Sequence, residues 1–443
     1  SSSPHAQSTR AGERAGLLLV AHLAARSIDV HEEHSMTNPS SPSSPSSSPT
    51  SAHHRQYEEP AAAAAKVGNG GRVDHGISFP AAIDDVEGAE LSPPRCEWEF
   101  WLAATVPSPS LAGASEAIGS VDFDPAGRLL ATGGIARKVR IYGVAGLPSS
   151  PSPAACICVP AKLSSVRWRP EEGGGRAVGC GDYDGVVTEY DVERGVAAWE
   201  RDEHSGRRVW ALDYAPRGGH TSMAASGSDD RTAHVWDPRA PSGSWATARA
   251  GGAVLCVEFD PSGAPQLAVG SADRRAAVYD VRALGHGAVA SMDGHARAVT
   301  YVRWAPARRV VTSAADGTHR LWEWPSTPEL SGPAREVRSY SGHVSGRSFV
   351  GMGLWRGAGL VASGSESNHV FVYDLRWGKP VWVHPFDVAS DGSSDAEGFV
   401  SAVTWLQGDA DGGGALVAGR SDGVLKMFTC QPRRGDNHPV DDP

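Results

Sequence analysis

An all-β chain, a seven-bladed β-propeller behind a disordered N-terminal tail, is the fold the sequence predicts, from three observations. One strand pattern recurs seven times. The texture changes at Cys96, from low-complexity sequence to short β-rich runs between Gly/Asp/Ser turns. The residues before that point hold too few periodic apolar side chains to build a core.

The tail comes first. Ser40–Ser51 is almost entirely serine and proline, Ala61–Ala65 is an alanine run, and Gly68–Gly71 holds only glycine and asparagine. Such composition buries too little surface to offset chain entropy, so residues 1–95 are expected to be disordered, most simply as a spacer. The run Leu17–Ala25 contains His22 and is well short of the ~20 residues a bilayer requires. Met36 opens the low-complexity tract as a natural start would, so an upstream extension over residues 1–35 is one expectation, and no function is read from them.

From Cys96 each copy reads alike. An apolar strand ends in Phe, Trp or Tyr, a strand of small residues follows, then a tight turn bearing Asp, then a strand ending in an aromatic residue. The third copy is the fullest: His204, Val209–Tyr214, Ala225–Asp230 and Ala233–Asp237. The copies end at Tyr142, Tyr190, Trp236, Tyr279, Trp322, Tyr373 and Phe428, at spacings of 48, 46, 43, 43, 51 and 55 residues. Spacings of ~40–45, lengthened by insertions, mark WD-repeat blades of four strands each. The turn aspartates Asp184, Asp230, Asp273, Asp316 and Asp422 are expected to accept bonds from backbone amides and from a loop histidine. Copies one and six have Ala136 and Ser367 there. Cys96–Trp101 alternates as a strand and is expected to close the ring as the outer strand of the last blade, removing an open edge. The propeller then spans 96–430, with 431–443 a polar tail.

Composition narrows the function. The net charge of −10 argues against general nucleic-acid binding. The six cysteines form no disulfide framework, and Cys156-x-Cys158 lacks a second pair at zinc spacing, so no metal or cofactor is expected. A reduced compartment, nucleus or cytosol, fits that cysteine usage. His204, Ser226 and Asp230 resemble a hydrolase triad. Similar sets recur around His295 with Asp316 and near His343, whereas a catalytic triad occurs once and beside an oxyanion hole. The repetition reads as structural hydrogen bonding, and no enzyme is expected. Gly173–Gly175 and Gly412–Gly414 are followed by neither Lys-Ser/Thr nor a helix, so they are loops and not phosphate cradles.

Trp168, Trp236, Trp304, Trp322 and Trp405 occupy repeat positions and read as core. Trp210 fills a slot where other copies have Ser164, Leu255, Thr300 and Ser401, so it reads either as a surface anchor or as inter-blade packing. Tyr183 precedes its turn where other blades have Asp229, Ala272 and Ala315. Lys162 and Arg208 match in position, and Arg275 and Phe349 fall near the same face. A basic and aromatic rim on an acidic protein suits an acidic peptide with a hydrophobic tip. Three blades end in aromatic-Asp-x-Arg: Trp236-Asp237-Pro238-Arg239, Tyr279-Asp280-Val281-Arg282 and Tyr373-Asp374-Leu375-Arg376. Such an Arg can simply cap a strand-end salt bridge, at ~0–1 kcal/mol.

At Lys162–Trp168, Gly181–Gly185, Glu203-His204, Arg208–Trp210, Val269–Asp273 and Ser348–Gly351 the chain resembles the propeller of the constitutively photomorphogenic ubiquitin ligase. The RING cysteines and coiled coil of that ligase are absent. Glu97–Phe100 and the stretch from Ala117-Ile118-Gly119 to Tyr142 look closer to a shorter plant relative, the repressor of UV-B photomorphogenesis family, a propeller with a short tail. The resemblance implies a negative regulator that binds the UV-B photoreceptor and promotes its return from active monomer to inactive dimer. It implies Val-Pro peptide recognition, with Lys162, Tyr183, Arg208, Trp210 and Phe349 matching the ligase's gripping residues. Arg275 replaces a histidine, which puts that contact in doubt. The aromatic-Asp-x-Arg boxes resemble those of receptors docking on the damaged-DNA-binding adaptor of cullin-4 ligases. The constitutively photomorphogenic ligase itself is a further partner the resemblance implies. The alternative function is therefore a cullin-4 substrate receptor acting on light-signalling transcription factors, and the expected location is nucleus and cytoplasm.

Overall fold

A computed structural model describes residues 97–109, 115–170, 175–216, 223–240, 243, 245–324, 332–386, 398–408 and 413–433. The expected disordered tail, Cys96 and most of 431–443 lie outside the described residues.

Seven antiparallel sheets follow one another along the chain. Their innermost strands are Ile118–Phe123, Leu163–Trp168, Val209–Tyr214, Val254–Phe259, Val299–Ala305, Met352–Trp355 and Val400–Leu406. These strands pack side by side around a central channel. Six sheets have four strands; the fourth blade gains a fifth, Gly332–Pro333, which the fifth blade contributes in parallel to Ala290–Asp293. That addition covers an edge that would otherwise offer unpaired N–H and C=O groups.

The ring closes through Trp98–Val106, which pairs antiparallel with Leu425–Pro432, Trp98 opposite Pro432 and Val106 opposite Leu425. The closing strand starts two residues later than the sequence suggests and runs past Trp101 to Val106. A bulge between Leu102 and Ala104 turns Trp101 and Leu102 outward, both over two-fifths exposed.

The small second strands answer a spacing constraint. A Cβ on Gly181 would stand 2.7 Å from Cγ1 of Val209, on the next blade. Repeat aromatics fill the gaps between blades: Trp236, Tyr373 and Phe428 are wholly buried, and Trp168, Trp304, Trp322 and Trp405 nearly so.

All seven tight turns place the residue after the Asp position in left-handed backbone. Blades two, five and seven use Gly185, Gly317 and Gly423 there. Blades one, three, four and six use Arg137, Arg231, Arg274 and Asn368, at φ of 56°, 69°, 76° and 58°. The capping carboxylate accepts from the amide two residues on: Asp230 from Thr232 (2.8 Å), Asp273 from Arg275 (3.1 Å), Asp316 from Thr318 (3.0 Å) and Asp422 from Val424 (3.1 Å). Blade two corrects the expectation for Asp184. Asp184 is exposed, and Asp182 takes the amides of Asp184 (3.0 Å) and Val186 (2.8 Å). Asp182 stands where blades three and four have Ser228 and Ser271, so its buried carboxylate reaches those donors from the strand end. Loop histidines serve two of the turns, His204 at Asp230 (2.7 Å) and His295 at Asp316 (3.0 Å). At Asp273 the amide of Gly251 takes that place (3.0 Å).

Candidate functional site

One end of the channel carries the loops between blades and the tight turns. The innermost strands bring single side chains to it, and most are small. Two are aromatic. Trp210 shares its slot with Gly119, Ser164, Leu255, Thr300, Gly351 and Ser401. Tyr301, one slot further along, shares with Ser120, Ser165, Ala211, Cys256, Met352 and Ala402. Phe349 arrives on the loop before the sixth blade.

These rings meet over the axis. Trp210, on blade three, stacks on Phe349 with centroids 4.9 Å apart and planes 27° apart. Tyr301 meets Phe349 edge-on at 6.1 Å, and Tyr183 tilts against Trp210 at 6.1 Å. All four are half-buried. The indole N–H of Trp210 is spent on Asp229 Oδ1 (2.6 Å), so its faces alone are left to contact a ligand. Asp229 occupies in blade three the turn position that Tyr183 occupies in blade two. Both backbone amides bond back to the residue before the inner strand, Tyr183 to Lys162 O (2.9 Å) and Asp229 to Arg208 O (3.1 Å).

The guanidinium of Arg208 lies 4.2 Å from the Tyr183 ring centroid and 4.8 Å from that of Trp210, a cation–π sandwich that leaves its Nε buried without a hydrogen bond. The Lys162 side chain is exposed and has no partner among the described residues. Beneath the rings lies a cavity of about 240 Å³ with walls such as Ile118, Leu163 and Leu255, floored by Arg167 and Arg303.

The structure therefore brings Tyr183, Arg208, Trp210 and Phe349 together, with Lys162 at their edge. It does not bring Arg275 there. Arg275 is well exposed at the start of the third strand of blade four and pairs with Asp293 (2.6 Å) on the outer strand, away from the cavity. Sequence reasoning missed Tyr301, although the slot comparison that singled out Trp210 exposes it equally.

The three aromatic-Asp-x-Arg boxes share one geometry. Each Asp caps the backbone amide of its Arg and also holds the guanidinium in a fork, with Nε and Nη2 contacts of 3.0 and 2.8 Å at Asp237–Arg239, 3.0 and 2.6 Å at Asp280–Arg282, and 2.9 and 2.6 Å at Asp374–Arg376. The fork holds Asp237 and Asp280 below the usual carboxylate range. Arg239 and Arg282 project from neighbouring blades. Arg376 is also tied to Glu97 (2.8 Å), at the root of the closing strand. Trp236 and Tyr373 are buried, whereas Tyr279 is half-buried.

The set resembling a triad is a strut. His204 Nε2 meets Ser226 Oγ at 2.6 Å, as His295 Nε2 meets Thr312 Oγ1 at 2.7 Å in blade five. Ligand atoms of His204, Asp230 and His234 lie within 4.8 Å of one another, the spacing of a metal site. Both ring nitrogens of His204 are already engaged by Asp230 and Ser226, so a metal there would have to break the strut.

The WD domain, G-beta repeat model matches residues 106–143, 198–237 and 287–323. With seven blades, each built on four antiparallel strands, around one channel, the molecule is a WD-repeat propeller. The chain is 48% identical over 334 residues to the WD repeat-containing protein RUP2 of Arabidopsis thaliana, covering 71% of this chain and 88% of that protein. It is likewise 48% identical over 343 residues to RUP1 of the same plant, covering 76% and 86%. It belongs to the family of RUP1 and RUP2. A weaker similarity, 29% over 318 residues, links it to the E3 ubiquitin-protein ligase COP1 of Arabidopsis thaliana, of which it spans 44%.

Proposed function

We propose that this protein is a non-enzymatic negative regulator of UV-B light signalling. In this reading its propeller binds the UV-B photoreceptor and other Val-Pro-bearing light-signalling proteins at the aromatic mouth, and promotes the photoreceptor's return to its inactive dimer. The observation that carries it is the Tyr183–Trp210–Phe349 cluster, whose members match the peptide-gripping residues that the resemblance to the ubiquitin-ligase propeller implies. The Trp210–Phe349 stack leaves no slot between the two rings. A proline entering there displaces Phe349, which sits on a loop, and regains against Trp210 the ring contact given up, worth about 0.5–1.5 kcal/mol. Acidic residues beside the Val-Pro pair meet Lys162; Arg208 acts mainly by holding the two rings. Nucleus and cytoplasm are the proposed locations, the ubiquitin ligase related to COP1 is a proposed partner, and neither cofactor, nucleic acid nor membrane enters the reading. The test is the rate of photoreceptor re-dimerisation after UV-B, followed by size exclusion. This protein speeds it several-fold at equimolar ratio; an unchanged rate contradicts the proposal.

The second reading, a cullin-4 substrate receptor, is favoured by the paired boxes of Asp237-Pro238-Arg239 and Asp280-Val281-Arg282. Their exposed guanidiniums are pre-oriented on adjacent blades, while Arg376 is engaged by the closing strand. Arg239→Ala with Arg282→Ala is expected to abolish pull-down of the damaged-DNA-binding adaptor and leave Val-Pro peptide affinity unchanged. Retained pull-down removes the boxes from docking.

A further inference from the structure

The other half of the channel has a chemistry of its own. At the next-to-last position of the repeat in each innermost strand stand Asp122, Arg167, Asp213, Glu258 and Arg303 in five successive blades, then Leu354 and Thr404. Arg356 and Gln407 reach in from just beyond the last two. All of these but Asp213 line a cavity of about 290 Å³ at the end opposite the aromatic mouth, and Arg167 and Arg303 line both cavities.

The carboxylates there are spent. Asp122 accepts the amide of Trp168 (2.9 Å) and Arg167 Nη1 (3.2 Å). Glu258 accepts the amide of Trp304 (2.7 Å) and Arg356 Nη2 (2.8 Å). Asp213 accepts the amide of Phe259 (2.8 Å), and Asp124 turns to the amides of Arg128 and Leu129 (both 2.6 Å). The bonds to Trp168, Phe259 and Trp304 join blade one to two, three to four and four to five. The arginines are only partly spent. Arg167 also donates Nε to Leu212 O (3.3 Å), Arg356 donates Nε to Trp304 O (3.0 Å), and Arg303 donates Nη1 to Val302 O (2.7 Å). Nη2 of Arg167, Nη2 of Arg303 and Nη1 of Arg356 have no partner among the described residues, and the three side chains keep 20%, 13% and 28% of their surface accessible.

We propose that this arginine-lined half of the channel binds a small tetrahedral oxyanion of the phosphate or sulfate type. Arg167, Arg303 and Arg356, each with an unspent guanidinium nitrogen, line one water-accessible cavity whose Asp122, Asp124 and Glu258 carboxylates are already bonded, so the site is rich in donors and poor in open acceptors. Fork-shaped guanidiniums suit such an anion better than a point charge does. Burial pushes Asp213 up to about 7, so part of the opposing negative charge is gone at neutral pH. The site opens at the other end of the channel from the aromatic rings, and Arg167 and Arg303 stand between the two cavities.

Isothermal titration of the full chain with inorganic phosphate at pH 7.5, against sodium chloride at matched ionic strength, tests it. The expected result is saturable one-to-one binding in the millimolar range, weakened roughly ten-fold in Arg356→Gln and clearly weakened in Arg303→Lys, which keeps the charge and loses the fork. Trp210→Ala binds phosphate as the wild type does. Sulfate competes with phosphate at this site, whereas a phosphoserine peptide, too large for the cavity, does not. Absence of saturable binding overturns the proposal, and so does unchanged affinity in whichever of the two arginine variants folds.

Discussion

Trp210→Ala lowers affinity for a Val-Pro peptide by about 2 kcal/mol or more, roughly thirty-fold, while leaving the propeller folded. The indole is the centre of the cluster: it stacks on Phe349, supports Tyr183 and carries the Arg208 guanidinium on its face. Truncation removes a rigid aromatic surface and loosens three neighbours at once. The fold tolerates the change, because the residue is half-buried and the equivalent slot holds glycine in blades one and six. Competition titration with a fluorescent peptide, alongside circular dichroism, checks both halves. An affinity within two-fold of wild type would remove Trp210 from the site.

Acid weakens the molecule at one junction in particular. His319 and His343 are buried and stacked, centroids 4.0 Å and planes 10° apart. Among the described residues neither ring nitrogen of His319 has a partner, and the His343 ring has only the Tyr373 hydroxyl, 3.0 Å from Nδ1. The cause lies in the sequence: Ser367 replaces the turn Asp of blade six, so His343 lacks the carboxylate that Asp230 and Asp316 give to His204 and His295. Burial lowers His343 to about 4, and burial with the neighbouring His343 holds His319 well below its ordinary value. Both imidazoles are neutral when folded and titrate near 6.5 when unfolded. Their contribution is complete above about pH 6.5 and is lost as the pH falls toward 4. For His343 alone the loss is about 2 kcal/mol between pH 7 and pH 5. Urea midpoints at the two pH values measure it. His343→Phe with His319→Phe flattens the dependence, and an equally steep fall in that variant would place the acid-labile site elsewhere. His343 shares its loop with Phe349, so acid loosens the mouth as well.

Much of this was legible from residues alone. The repeat of aromatic, small and turn residues marks seven blades because inter-blade packing demands a ring in one place and the lack of a side chain in another. Trp210 and Tyr183 stood out because they break that repeat. Three details were hidden, each for a physical reason. Asp182 and Asp184 flank one turn, and only the backbone path decides which carboxylate meets the amides. Arg275 opens its strand beside a tight turn much as a rim residue would, but its pairing with Asp293 turns it toward the outer strand. The guanidinium of Arg208 reads from sequence as a charge offered to a ligand, whereas the neighbouring rings already hold it. The arginine-lined channel can be seen only when equivalent positions of all seven blades are laid around one axis.

The most direct test of the account is isothermal titration of the full chain with a Val-Pro-bearing photoreceptor tail peptide, beside the same peptide with both residues changed to alanine. Micromolar or tighter binding to the first and none to the second is the predicted result. Equal binding to both, or to neither, would contradict recognition of Val-Pro at the aromatic mouth.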